Sequence, residues 1–350
     1  MKNVFQSNVF APLVENEVAK SMQIIEVGVE DELFYLFENV YTVLYPLAGK
    51  EQPIVKEYLS RCFVALLDDK PMGRIAVYEN PHLEYEGKKA VCLGYYECAC
   101  EADLCKELLA YVLEEVKDMG YECVIGPMNG STWSQYRFTT NKGENFFLEP
   151  QNSSCYPKHF EQTGFEPIAQ YYSSIGKTFS VDAEQLATRQ KTFEDKGVSF
   201  RNINPMDYEN ELKKLHEFSL KSFAKNFLFT PISWETFRDK YLPLKAFIDS
   251  EFVLFAENKK GELVGLVFGI HDVLCQTEQR IITKTIARDP NIIYTGLGEC
   301  MALSFVQRAK EAGYDSIVHA LIIEDGLSQA VSQKCFGEKF KAYCLYGVLV

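Results

Sequence analysis

Apolar positions recur along this chain with two spacings, and the same order of spacings is met twice. Met22 to Val27 is a short apolar run of strand length. Asp31 to Leu44 carries Leu33, Leu36, Phe37, Val40 and Leu44 at helical intervals. Cys62 to Leu67 and Gly73 to Tyr78 read as strands around the turn Asp68-Asp69-Lys70-Pro71. Ala90 to Cys98 predicts a third strand. Glu101 to Met119 predicts an amphipathic helix with Leu104, Leu108, Tyr111, Val112 and Val116 on one face, ended by Gly120. A strand (Glu122 to Ile125), a helix near Tyr156 to Thr163 and a strand from Phe165 to Ile175 follow.

The second half runs through the same series. Val198 to Ile203 predicts a strand, and Met206 to Ala224 and Ser233 to Ile248 predict helices. Phe252 to Ala256, Leu263 to Ile270 and Arg280 to Ala287 predict three strands, the first two joined at Asn258-Lys259-Lys260-Gly261. Leu297 to Ala312 is helical, with Leu297, Met301, Phe305 and Ala309 in register. Asp315 to Leu321 predicts a strand, Leu327 to Lys334 a short helix, and Phe340 to Leu349 a last strand. A shared phrase marks one joint in both halves: Lys117-Asp118-Met119-Gly120-Tyr121-Glu122 and Lys310-Glu311-Ala312-Gly313-Tyr314-Asp315. Duplication is the expectation, with domains over 1–180 and 197–350 and a polar, helix-prone joint between Phe179 and Gly197. No long flexible linker separates them, so close packing of the halves is expected.

The halves differ in length at one place. About 45 residues separate Gly120 from Phe165, but about 27 separate Gly313 from Phe340. The excess is an insertion over Asn129 to Pro150, rich in Asn, Gly, Thr and aromatic residues. Loops of that length in compact domains tend to carry function.

Composition narrows the classes. The 350 residues suffice for two cores. A net charge of −13 argues against nucleic-acid binding and against adhesion to anionic membranes, and suits an amine partner. The eleven cysteines contain no C-x-x-C pair. Cys98, Cys100 and Cys105 cluster without a histidine nearby, so the expectation is buried free thiols, no metal and a cytoplasmic protein. Met1 to Ala19 has acidic residues and no long apolar core, unlike a signal peptide, and no run reaches membrane-spanning length.

The segment richest in chemistry is Thr285-Ile286-Ala287-Arg288-Asp289-Pro290, followed by Tyr294-Thr295-Gly296-Leu297-Gly298-Glu299. A strand stops, and a glycine pair opens a long helix. The free N–H groups of such a helix start attract anions, and glycines let a pyrophosphate approach the backbone. A tight turn with close helix packing is the alternative for the same residues.

The order strand, two helices, three-strand meander, helix, strand, helix, strand, with the glycine loop before the third helix, resembles the GNAT acyltransferase superfamily. Both halves carry the order, so the chain resembles tandem GNAT proteins: an α/β fold of two mixed-sheet domains. Gly94-Tyr95-Tyr96-Glu97-Cys98, Gly126-Pro127-Met128-Asn129 and His319-Ala320-Leu321 also resemble bacterial tandem members. The resemblance implies acetyl-CoA as co-substrate. Its pyrophosphate would lie on Thr295, Gly296, Leu297, Gly298 and Glu299, and its pantetheine against Ile286, Ala287 and Arg288. Ile293 stands where the family has Arg or Gln. At the matching place in the first half, Cys98-Ala99-Cys100-Glu101-Ala102-Asp103 has no glycine and two acids, which implies a degenerate domain without CoA.

The resemblance also implies a tyrosine acid four residues before a Gly-Phe pair. Phe160 takes that position before Gly164-Phe165, and Gln333-Lys334-Cys335-Phe336-Gly337 has no tyrosine. Tyr343 on the last strand, His319 on the strand after the loop helix, and Glu324 with Asp325 at its end are the replacement candidates for proton transfer. Packing, a structural histidine and helix capping are the respective alternatives. Asn129, Trp133 and Tyr136 are candidates to close over substrate from the insertion, against simple anchoring of the loop. The expected function is N-acetylation of a small-molecule or peptide amine. A non-catalytic acyl-CoA sensor and an aminoacyl-tRNA-dependent ligase are the rival readings.

Overall fold

The computed structural model describes residues 21–47, 51, 53–177, 179–324, 326, 328–335 and 337–350. The readings over 1–19, at Asp325, at Leu327 and at Phe336 lie outside the described residues. The first half contains β1 (Met22–Glu26), α1 (Phe34–Leu44), β2 (Leu59–Leu67), β3 (Lys70–Tyr78), β4 (Glu84–Tyr85), β5 (Lys88–Cys98), α2 (Ala102–Asp118), β6 (Cys123–Gly126), β7 (Phe138–Thr139), α3 (Tyr156–Gln162) and β8 (Glu166–Gly176). The joining helix is α4 (Ala183–Asp195). The second half contains β9 (Ser199–Asn202), α5 (Tyr208–Ser222), α6 (Trp234–Tyr241), β10 (Val253–Glu257), β11 (Leu263–His271), β12 (Arg280–Arg288), α7 (Leu297–Glu311), β13 (Ser316–Ile323), α8 (Ser328–Cys335) and β14 (Glu338–Leu349). The predicted helix over Ser233 to Ile248 changes at Leu242, just before Pro243, into a 3-10 turn. Proline has no N–H for the α-helical ladder and disfavours the α conformation before it.

The strands form one continuous sheet in the order β1-β2-β3-β5-β6-β14-β8-β13-β12-β11-β10-β9. The two halves exchange their last strands across its middle. β14, from the end of the second half, pairs antiparallel with β6 of the first, and β8 pairs antiparallel with β13. β8 and β14 then pair with each other. The halves are therefore joined by backbone hydrogen bonds rather than by a side-chain interface alone.

β14 shows why this exchange is stable. Successive strand residues face opposite sides. Cys344 and Tyr346 enter the core under α2 and α3, and Tyr343 and Leu345 enter the core under α1. The last strand of the second half thus completes both faces of the first. On the other side of the chain midpoint, α4 and α7 cover one face through Phe193, Leu297, Cys300 and Phe305. α5 and α6 cover the opposite face through Leu212, Phe218 and Phe237. Among the described residues, no helix is long and apolar enough to cross a membrane.

Candidate active site

Each half contains one parallel strand pair that stops being paired part way. In the first half β5 and β6 match from Ala90↔Cys123 to Cys92↔Ile125. In the second, β12 and β13 match from Arg280↔Ser316 to Thr283↔His319. Beyond those points the strands part. The two gaps have different contents.

In the first half the chain fills its own gap. After β6 it turns back, and the Met128 N–H donates to Leu93 O at 2.7 Å. The Asn129 side-chain oxygen accepts from the Tyr95 N–H at 3.0 Å. A Cβ at Gly94 would stand 2.5 Å from that oxygen, so only glycine admits the contact. The backbone groups that an extended ligand would use are already bonded. Asn129 therefore lies in the first half's gap and not over the second's. Replacing Asn129 with alanine leaves the Tyr95 N–H without its partner. The expected loss is about 1–3 kcal/mol of stability, measured by chemical denaturation.

The start of α2 carries two acids, Glu101 at its N-cap and Asp103 in its first turn, which oppose an anion there. Cys100 and Cys155 form a disulfide that ties the loop before α2 to the start of α3. This corrects the expectation of free thiols at these two positions. The pair is 55 residues apart in sequence, and folding brings their Cα atoms to 6.2 Å, within disulfide reach. Cys62, Cys92, Cys98, Cys105, Cys123, Cys275, Cys300 and Cys344 are buried free thiols. His159 lies beside the disulfide, and its Nδ1 is held at 2.8 Å by the Tyr96 hydroxyl.

In the second half the gap is bordered by β12 from Lys284 to Arg288. Lys284 falls at a shift of register between β11 and β12, where Phe268 faces Thr285 and Gly269 faces Thr283. Such a bulge re-aims one side chain without ending the strand. Ile286, Ala287 and Arg288 follow it. Ile286 packs toward α7 and Ala287 toward α5 and α6. The Arg288 guanidinium closes its own loop, donating to Asp289 O at 2.7 Å.

A turn over Ile292–Tyr294 leads through Thr295 to Gly296, the N-cap of α7, at φ +87°. That left-handed conformation selects glycine. The first intrahelical bond runs from Cys300 N–H to Gly296 O at 3.0 Å, and no side chain of the N-cap residue covers the N–H groups ahead of it. A Cβ at Gly298 would meet only Ile286, at 3.8 Å. The fold itself therefore has room for a side chain at Gly298. Leu297 is wholly buried. The Glu299 carboxylate bonds Arg189 Nη1 at 2.8 Å and lies 3.4 Å from Lys334. Burial opposes its ionisation, but Arg189 and then Lys334 outweigh this and hold its pKa below the ordinary value. What these residues offer an anion is thus backbone N–H groups and a helix dipole, with two cations just behind.

The insertion of the first half closes over the base of this second gap. Phe146 is fully buried against Ile270, Ile282, Val318 and Ala320. Glu144 bonds Arg280 at 3.0 Å, and the Phe147 N–H donates to Asp272 at 2.9 Å. Leu148 O accepts from Lys284 Nζ at 3.1 Å. Arg137 donates to Leu321 O at 3.4 Å, with its guanidinium 3.9 Å and 4.2 Å from the ring centres of Tyr136 and Tyr171. Trp133 reaches further into the second half. Its indole donates to Thr230 O at 2.8 Å and packs among Phe223, Phe229 and Phe237. Trp133 thus sits at the junction of insertion and second half, whereas Tyr136 bridges Met128 and packs against Tyr171, close to Asn129.

Glu149, from the same insertion, is buried. It accepts from the Tyr343 hydroxyl at 2.8 Å and pairs with Lys341 Nζ at 3.2 Å. Tyr343 also bonds Ser173 at 3.1 Å, and Ser173 accepts from the Leu321 N–H at 3.0 Å. Burial pushes the Glu149 carboxyl above its ordinary pKa, against the pull of Tyr343 and Lys341. Burial, and then Glu149, raise the Tyr343 phenol far above its ordinary value, so it holds its proton tightly.

His319 is buried in the paired part of β13, opposite Thr283 on one side and Ser174 on the other. Burial lowers its pKa to about 3, so it is neutral. Glu324 directly follows β13 and pairs with Lys339 at 2.7 Å. The three proton-transfer candidates are therefore spread along β13 and β14 rather than gathered.

The group that stands at the gap is Lys284. Its side chain is half-buried. Burial lowers its pKa to about 7, Arg137 and Lys240 act in the same direction, and Glu149 opposes them. Nothing in the sequence around Lys284 separates it from an ordinary strand lysine. The shift comes from burial, from Arg137 of the insertion, far away in the chain, and from Lys240 of α6, joined only by folding.

No protein-family model and no curated protein matches the chain. Solved structures do. A GCN5-related glucosamine N-acetyltransferase region of a fungal multi-domain β-N-acetylglucosaminidase aligns over 98% of this chain at 13% identity and TM-score 0.57. The chain spans 39% of that protein's length. A tandem GNAT protein from the clavulanic acid biosynthesis pathway aligns over 94% of this chain and 98% of its own, at 8% identity and TM-score 0.53. A GCN5-related N-acetyltransferase from Anabaena variabilis aligns over 93% and 72%, at 8% identity and TM-score 0.54. At these identities the likeness is one of fold. Together with the two parted strand pairs, it establishes that this chain carries the GNAT fold twice, in tandem.

Proposed function

We propose that the protein is an acyl-CoA-dependent N-acyltransferase, with acetyl-CoA as the simplest donor and a small-molecule or peptide amine as acceptor. The observation that carries this reading is the contrast between the gaps. The first is bonded shut by Met128 and Asn129, and the second leaves β12 from Lys284 to Arg288 beside a glycine-headed helix start.

In this reading the donor's pyrophosphate lies on the N–H groups at Gly296 to Glu299, and its pantetheine bonds the free edge of β12 as an added strand would. Lys284, neutral in part at pH 7, takes the proton from the acceptor ammonium. The amine nitrogen then attacks the thioester carbonyl. A C–N bond forms, the oxyanion is held by backbone N–H of β12, the C–S bond breaks, and the second proton, from the new amide nitrogen, passes to the leaving thiolate. The leaving thiolate, with a pKa of roughly 8.5, needs little help from an acid. A tightly protonated Tyr343 is compatible with that.

The test is calorimetric titration of the whole chain with CoA, repeated on Gly298→Val. The wild type is expected to bind. The variant is expected to fold, by circular dichroism, and to bind at least tenfold more weakly, a loss of about 1.4 kcal/mol or more. Absence of binding to the wild type would refute the proposal, as would undiminished binding to the variant. CoA binding without turnover of any amine in a broad panel would instead favour a sensor.

A further inference from the structure

A cavity of about 90 Å³ lies between α5, α6 and the sheet of the second half. Trp133, Leu212, Leu215, Phe237, Val253 and Thr285 are among its walls. Thr285 is the residue after the bulged Lys284, on the free stretch of β12. Its neighbour Ala287 faces the same helices. The cavity therefore begins beside the stretch of strand at which a donor's thioester would be held. Its remaining walls are aliphatic and aromatic apart from the hydroxyls of Ser219 and two tyrosines, Tyr208 and Tyr241. The Tyr208 hydroxyl is already bonded to Tyr241 O at 3.1 Å.

These walls suit hydrocarbon and carry no carboxylate to pair with a charged amine. We infer that the cavity holds the acyl chain of the donor, and that the preferred donor is a short linear acyl-CoA longer than acetyl. This inference rests on the acyl-CoA reading above and names its substrate class. The volume sets the length. A dry cavity of roughly 150 Å³ holds the six carbons of benzene, or about 25 Å³ per carbon. At that scale the present cavity takes about three or four carbons beyond the carbonyl, which describes butyryl to pentanoyl donors. Trp133 gives the insertion of the first half a part in this, since its ring forms one wall.

The experiment measures binding of CoA, acetyl-CoA, butyryl-CoA, hexanoyl-CoA and decanoyl-CoA to the whole chain by calorimetry. Affinity is expected to rise about fourfold per methylene from acetyl to butyryl, following the burial of each CH₂, and to stop rising near hexanoyl. Ser219→Leu, which fills the cavity from α5, is expected to bring the butyryl-to-acetyl ratio close to one. Leu215→Phe does the same from the next turn should the first variant not fold. Equal affinity across the acyl series in the wild type overturns the inference while leaving the acyl-CoA reading in place. So does a chain-length preference that neither variant alters. Failure of CoA itself to bind overturns the underlying reading instead.

Discussion

Replacing Lys284 with methionine is expected to lower kcat for acyl transfer by about 10²- to 10⁴-fold, the range supplied by a positioned general base. Methionine keeps the unbranched apolar stem and removes only the amine. Lys284→Arg is expected to lose as much, because a guanidinium cannot give up its proton in the working pH range. The wild-type kcat/KM is expected to climb as pH rises through about 7, where Lys284 deprotonates. Both variants should lack this rising limb. A residue that served only to anchor Leu148 would give a different result, with activity reduced but the limb retained.

The same lysine makes a prediction that needs no substrate. Its folded pKa of about 7 lies below the ordinary 10.5. Between those values the unfolded chain binds more protons than the folded one, so Lys284 makes folding more favourable as pH rises across that window. Denaturation of the wild type and of Lys284→Met at pH 7 and pH 10 measures this. The gap in stability between them should shift toward the wild type at the higher pH.

The element order was legible in the sequence because period and punctuation are local. The strands around Asp68-Asp69-Lys70-Pro71 and Asn258 to Gly261, the helix opened at Gly296 and the two Lys-x-x-Gly-Tyr joints all lie where short-range patterns put them. The exchange of β8 and β14 was not legible. Alternation fixes which residues of β14 face each side but says nothing of which strand lies beside it. Cys100 and Cys155 escaped for the same reason, since their approach depends on how α3 returns to the loop before α2. Asn129 carried a true signal, a polar residue in a long insertion, whose partner in the first half's own gap only the fold reveals. Lys284 carried none. Its chemistry is made by burial, by Arg137 and Glu149 of the insertion and by Lys240 of α6.

The insertion is held in place by the buried pair of Glu149 and Lys341, and breaking that pair should have the largest effect on stability. Lys341→Ala leaves a carboxylate enclosed by protein, with the Tyr343 hydroxyl and the Phe146 N–H as its hydrogen-bond donors and no cation in contact among the described residues. Loss of one partner from a buried pair costs about 3–5 kcal/mol, because the other charge stays behind uncompensated. The sign of the pH dependence follows from the same cause. Burial already raises the Glu149 pKa, and removing Lys341 raises it further. The penalty therefore applies to the ionised carboxylate. It should be greatest at neutral pH and should shrink as acid protonates Glu149. Adding Glu149→Gln to a Lys341→Met variant should recover most of the loss, since the amide oxygen still accepts from Tyr343 and no buried charge remains. Chemical denaturation of wild type, single and double variants at pH 7 and pH 5 measures all of this. A single variant as stable as the wild type, or one whose deficit grows in acid, would mean that the carboxylate is not held as an enclosed charge. The insertion would then be anchored by its other contacts, among them those of Glu144 with Arg280, Phe147 with Asp272 and the buried Phe146, and its closure over the second gap would be weaker than the buried pair makes it.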